Sequence, residues 1–171
     1  MLGGMRTSKD GPVVASERTL RALFAIRRAV LLPKLYGTVV VGRSSYEAIL
    51  ATAPPEMADW PWLAIEQDRP EVELPARIAG APAPDAAALR LALALNASLV
   101  LLEDPTKERA KLSFIKAEGT VAILVQAYRQ GHLSAVRPMV KALEKLGHRE
   151  VLPPAEQLEA MWLALENMKD G

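Results

Sequence analysis

Leu99-Val100-Leu101-Leu102-Glu103-Asp104-Pro105-Thr106 sets four apolar residues in unbroken succession directly before two acids and a proline. An apolar run without alternation is the mark of a parallel strand covered on both faces. Asp104 before Pro105 has the form of a helix start, with the aspartate as cap and the proline in the first turn. Upstream, residues 85–95 are rich in alanine and leucine, and Asn96 closes them. They read as a helix that is apolar all round and therefore buried between other elements. A helix, a buried strand and a new helix in succession point to a parallel sheet with helices on both sides.

Working towards the N-terminus, residues 12–15 (Pro-Val-Val-Ala) and 38–41 (Thr-Val-Val-Val) read as further strands. Ser16 or Glu17 caps a helix that keeps helical spacing from Leu20 to Leu31, where Pro33 and Gly37 break it. Ser44 or Ser45 opens a short helix through Leu50. Residues 53–61 read as a loop, 62–65 as a short strand and 66–84 as a long surface connection. Beyond the acidic pair, one helix runs to Leu112 and residues 114–117 form a last strand. Gly119-Thr120 starts a helix with a stripe of Val121, Leu124, Val125 and Tyr128, ended by Gly131. Ser134 caps the next helix, stopped by Gly147. A final helix over 154–168 carries Leu158, Met161, Trp162 and Leu165 on one face.

Composition narrows the classes. The chain has 171 residues, half of them hydrophobic and 24% charged, with net charge +1 and no cysteine. A length of this order suits one domain that buries roughly 70% of its unfolded surface. Disulfides, thiolate catalysis and cysteine-held zinc are excluded. The near-neutral charge excludes a strong global pull on nucleic acid. Absence of cysteine fits a reducing cytoplasm, and residues 1–11 read as a Gly-rich tail.

In open parallel sheets, ligands bind beyond the carboxyl ends of the strands. That rule singles out Ser16 and Glu17, then residues 42–45 and Glu47, then Glu103 and Asp104, with Asp85 at the start of the buried helix. Carboxylates gathered at one cleft repel one another, and a divalent cation resolves the conflict. Oxygen-rich sites suit Mg²⁺ or Mn²⁺. Each acid also has a plainer reading. Asp104 and Asp85 serve as helix caps, Glu103 as a solvated neighbour, and Glu17 and Glu47 as surface helix residues. Arg18, Arg21, Arg27 and Arg28, with Lys107, Arg109 and Lys111, either hold a phosphate backbone or form solvated faces. Trp60 and Trp62 pack on the core or stack on bases. His132 and His148 have no partner at ligand spacing.

The ordered set Val13-Val14-Ala15-Ser16, Leu35-Tyr36-Gly37-Thr38-Val39-Val40-Val41, Tyr46-Glu47 and Leu91 to Asp104 resembles the PIN domain, with the nearest likeness to its small prokaryotic VapC-like branch. Gly119-Thr120 through Tyr128-Arg129-Gln130-Gly131, then Val136-Arg137-Pro138-Met139, is similar to the tail of that branch. The resemblance implies a three-layer α/β/α PIN-like domain over 12–146, with a central parallel sheet of four to five strands and a helical extension over 147–171 packed on it. It also implies descent from metal-dependent endoribonucleases of the toxin type. Asp85 and Asp104 then fall on catalytic, metal-holding positions and Glu103 on an auxiliary acid. The two other acid positions fall on Ser16 and Ala48, which carry no carboxylate, leaving Glu17 and Glu47 as neighbours that could compensate. The implied cofactor is Mg²⁺ or Mn²⁺ if the site is active. The implied partners are single-stranded RNA, a small antitoxin protein and a second copy of the chain. With two of four acids missing, the expectation is a weakened or lost nuclease, or a non-catalytic module that binds RNA or protein.

Overall fold

The computed structural model describes residues 11–52 and 60–169. The Gly-rich tail and most of the proline-marked loop lie outside the described residues. Five strands form one parallel sheet in the order β3-β2-β1-β4-β5. They are β1 (Val13–Ala15), β2 (Val39–Gly42), β3 (Leu63–Glu66), β4 (Leu99–Leu101) and β5 (Ala117–Glu118). Along β1, β2 and β4 the buried residues alternate between two cores, as the two-residue period of a strand requires. Val13, Ala15, Val39, Val41 and Leu101 face one layer, and Val14, Val40, Val100 and Leu102 face the other. This double burial is why valine and leucine run without interruption.

The first layer holds α1 (Glu17–Ala25), α2 (Leu31–Tyr36), α3 (Arg43–Leu50), α6 (Thr120–Arg129), α7 (Arg137–Lys145) and α8 (Ala155–Lys169). The second holds α4 (Ala83–Leu95), α5 (Thr106–Leu112) and a 3-10 turn over Ala76–Ile78. The architecture is three-layer α/β/α. Leu158, Met161 and Trp162 of α8 pack on the first core, and Leu165 is buried in it. Trp60 stacks between Phe24 and Trp62, at ring distances of 4.1 and 4.9 Å, which fastens the loop before β3 to that layer.

Several expectations are corrected. The helix drawn from Leu20 to Leu31 is two helices, parted at Arg27, whose φ is 57°. Pro33 does not break the second, because it sits in the first turn, where no intrahelical donor is lost. The connection over 66–84 is not all surface: Leu74 and Ile78 are buried in the second core. The last strand is not 114–117. Phe114 ends α5 in the left-handed region, at φ 63°, and is almost wholly exposed, while β5 begins at Ala117. In α6, Leu124 of the expected stripe is buried and Val121, Val125 and Tyr128 pack half-buried on the first core, but the most buried face also takes in Thr120, Ile123 and Ala127. Ser134 does not cap α7, whose cap position is Val136. Nor is α4 covered all round, since Leu93 is exposed.

Ser16 is the cap of α1, accepting from the Thr19 amide, and is fully buried. Replacing a capping hydroxyl by alanine typically costs about 1 kcal/mol. Ser16→Ala is therefore expected to lower unfolding free energy by about that much in urea titration.

Candidate functional site

The carboxyl ends of β1 and β4 lie side by side, with the Ser16 amide donating to the Leu101 carbonyl at 2.9 Å. Just beyond them, the chain brings together the starts of α1, α4 and α6 and the turn after β4. Leu101 and Glu103 fall on the same side of the strand path by its period of two. Glu103 accordingly points into the first layer and is 3% exposed. Its Oε2 accepts from Thr19 Oγ1 at 2.6 Å and from Thr120 Oγ1 at 2.8 Å, and the Thr120 amide donates to both carboxylate oxygens. Ser16 joins the network through Thr19 Oγ1 at 3.2 Å. Burial pushes the Glu103 carboxyl up to about 7, against the downward pull of the threonine hydrogen bonds. The close approach depends on Gly119, where a Cβ would stand 3.0 Å from Glu103 Oε1 and 3.2 Å from the Leu102 carbonyl.

Asp85 belongs to the other layer. It lies in the first turn of α4 but is not the cap residue, which is Pro82. Its side chain is fully buried, and Arg18 reaches it over the strand ends. Nη2 donates to Asp85 Oδ2 at 2.7 Å and Nε to Oδ1 at 3.4 Å, the two-pronged fork an arginine offers a carboxylate. The same guanidinium donates to the carbonyls of Glu103 at 3.3 Å and Asp104 at 3.5 Å.

Asp104 behaves differently from both. Pro105, joined to it by a cis peptide bond, occupies the cap position of α5, so Asp104 is not the cap expected. Its side chain is half exposed, with Lys107 Nζ at 3.5 Å. The expectation that Glu103 is a solvated neighbour is thus reversed: Glu103 is the buried acid and Asp104 the exposed one.

Glu17 is held by Arg21 at 2.9 Å, and Arg21 also donates to the Ala48 carbonyl at 3.0 Å. Glu47 is exposed on α3. Among the described residues, no three carboxylate or imidazole side chains converge as a cation cage. Divalent ions are held by carboxylate charge and free oxygens. Here the Asp85 carboxylate is occupied by an arginine, that of Glu103 by threonine donors, and positions 16 and 48 offer none. The donor set does not fit a Mg²⁺ or Mn²⁺ centre.

Sequence reasoning missed Thr19, and it read Arg18 only as a phosphate-holding or solvated cation and Gly119-Thr120 only as a helix start. Placing β5 correctly would have exposed the last two, which directly follow it. Asp68 was missed as well. It follows β3, and its Oδ2 accepts from the Ser44 amide at 3.0 Å, so the carboxylate anchors the start of α3. Gly42 makes room for it, since a Cβ there would lie 2.5 Å from Oδ1.

Next to Glu103 and Asp104 opens a hollow of about 610 Å³, bounded by Lys107, Arg129, Glu118 and Met161 among others. Its wall carries four acids, Glu103, Asp104, Glu118 and Glu150, and two bases, Lys107 and Arg129.

No curated protein and no solved structure matches the chain. A family model described as a PIN domain matches residues 12–153, which is most of the sequence and includes every strand. With the parallel sheet in the order β3-β2-β1-β4-β5 and the acids at its carboxyl end, the match is decisive: the chain belongs to the PIN-domain family.

Proposed function

We propose that this protein derives from metal-dependent endoribonucleases of the VapC toxin type, has lost or nearly lost hydrolysis, and acts as an RNA-binding module. PIN domains are in general metal-dependent nucleases. The observation that carries the departure is the state of the four acid positions. Ser16 and Ala48 hold no carboxylate, and Asp85 is neutralised by Arg18 at 2.7 Å. Glu103 serves as the fourth acid's neighbour but is tied to Thr19 and Thr120. Asp104 alone offers a half-exposed carboxylate, and one such group does not retain Mg²⁺ at useful strength.

Single-stranded RNA is favoured as ligand by the cations beside the hollow. Lys107 and Arg129 line it among its acids, and Arg109 and Lys111 follow on α5, Lys111 lying 3.7 Å from Glu108. Phosphate contacts of this kind supply affinity that falls with salt. A second copy of the chain and a small antitoxin-like protein are the further partners of this reading, with the cytoplasm as its setting. Among the described residues, no helix is long and apolar enough to cross a membrane.

Incubation with single-stranded RNA and Mn²⁺ tests the reading. No cleavage above background is expected, and calorimetry should show no stoichiometric Mn²⁺ binding. Fluorescence anisotropy should show RNA binding that weakens with salt and with Lys107→Ala or Arg129→Ala. Cleavage that disappears in Asp104→Asn would overturn the loss of hydrolysis, and salt-independent or absent binding would overturn the RNA assignment.

A further inference from the structure

We infer that Arg18 is a resident cation, doing with its guanidinium what a divalent ion does in an acidic strand-end site. The inference rests on the reading of this site as one that no longer holds metal, and it goes further by naming what replaced the ion.

Three contacts carry it. Asp85 is fully buried, so its charge needs a partner that is also placed away from solvent. Arg18 provides that partner through two donors, Nη2 at 2.7 Å and Nε at 3.4 Å from the two carboxylate oxygens. Nη2 also donates to the main-chain carbonyl of Glu103 at 3.3 Å, and Nη1 to that of Asp104 at 3.5 Å. The ligands of this guanidinium are thus a carboxylate and two carbonyl oxygens, the hard oxygen donors a divalent ion prefers. They come from two chain segments, the start of α4 and the turn between β4 and α5, while Arg18 itself projects from α1.

The position is also the right one. Arg18 projects from α1 in the first layer, whereas its partner Asp85 lies at the start of α4 in the second. Arg18 makes that crossing. Its side chain is 25% exposed, so it closes the strand ends from the solvent side. A lysine could supply the charge but not the planar fork that reaches four acceptors at once.

The consequence is a latent cation site under the guanidinium. Removing it leaves Asp85 buried and uncompensated beside two carbonyls, and a divalent ion should then become useful to the fold. Arg18→Met keeps most of the length and packing of the stem and removes the charge. Its Tm is expected to fall on the order of 10 °C. Millimolar Mn²⁺ should recover part of that fall, and KCl at equal ionic strength should not. The wild-type Tm should be the same in Mn²⁺ and in EDTA. The double variant Arg18→Met with Asp85→Leu should recover Tm without Mn²⁺ and show no response to it, because no buried charge remains. Should Arg18→Met fail to fold, Arg18→Lys replaces it, with an intermediate Tm and no Mn²⁺ response expected.

An Arg18→Met protein as stable as the wild type would overturn the inference. So would one that is destabilised yet indifferent to Mn²⁺, which would reduce Arg18 to an ordinary ion pair; a Mn²⁺-stabilised Arg18→Lys would overturn it too. Stoichiometric Mn²⁺ binding by the wild type would bring down the functional reading and this inference together. A silent wild type with an indifferent Arg18→Met would bring down the inference alone.

Discussion

Between pH 4.5 and 8 the wild-type protein should lose on the order of 3 kcal/mol of stability relative to Glu103→Gln. The cause is the Glu103 carboxyl, raised from 4.5 to about 7 by burial. Within that window the folded protein holds a proton on Glu103 that the unfolded chain has released. The folded state then binds more protons, so stability falls as pH rises. The contribution is fully present below 4.5 and is gone once pH passes the folded value near 7. Glutamine keeps the shape and an acceptor for Thr19 and Thr120 but cannot ionise. Carboxylates shifted the other way, such as Glu71 through its hydrogen bond with Arg69, occur in both proteins and cancel in the difference. Urea titrations of both proteins at several pH values measure it. A difference that stays flat from pH 4.5 to 8 would show that Glu103 titrates as an ordinary exposed acid.

The same residue shows why the site was half legible. From the sequence, Glu103 and Asp104 look equivalent, and Asp104 gains weight from the proline after it. What separates them is the strand's alternation. Leu101 faces the first layer and Leu102 the second, so Glu103 returns to the first, where Thr19 and Thr120 wait. That alternation is hidden in the sequence because both faces are apolar. Arg18 was illegible for a different reason. An arginine in the first turn of a helix looks solvated, and its partner Asp85 lies far along the chain in the opposite layer. Only the adjacency of β1 and β4, a long-range pairing, brings the two together.

Fold legibility follows similar lines. β2 and β4 were plain because parallel strands buried on both faces need unbroken apolar runs. β5 has two residues and no pattern to read. Phe114 and Ile115 before it have strand-like side chains, but Phe114 takes the left-handed position after α5, where glycine is usual. The break at Arg27 is equally silent, since neither glycine nor asparagine marks its positive φ. Sequence reading fails here wherever a residue adopts a conformation for which its side chain gives no sign.

The helix α4 tests how layer position governs both stability and the site. Leu89 and Leu93 are one turn apart and identical in chemistry. Leu89 is fully buried against the sheet, whereas Leu93 is 38% exposed. Truncating a buried leucine removes its transfer energy and leaves a cavity, so Leu89→Ala should cost about 2–5 kcal/mol. Leu93→Ala leaves little cavity and adds helix propensity, so its effect should stay within about 0.5 kcal/mol. The consequence extends to Asp85, one turn before Leu89 on the same buried face. A cavity at Leu89 lets α4 settle towards the sheet and draws Asp85 away from the Arg18 fork. Hydrogen exchange at the first turn of α4 and at the turn after β4 should therefore accelerate in Leu89→Ala beyond the global loss of stability, and remain unchanged in Leu93→Ala. Equal costs for the two truncations would mean that Leu93 is as well covered as Leu89. Exchange rates that rise only with the global stability loss would mean that the Arg18–Asp85 contact does not depend on the seating of the helix.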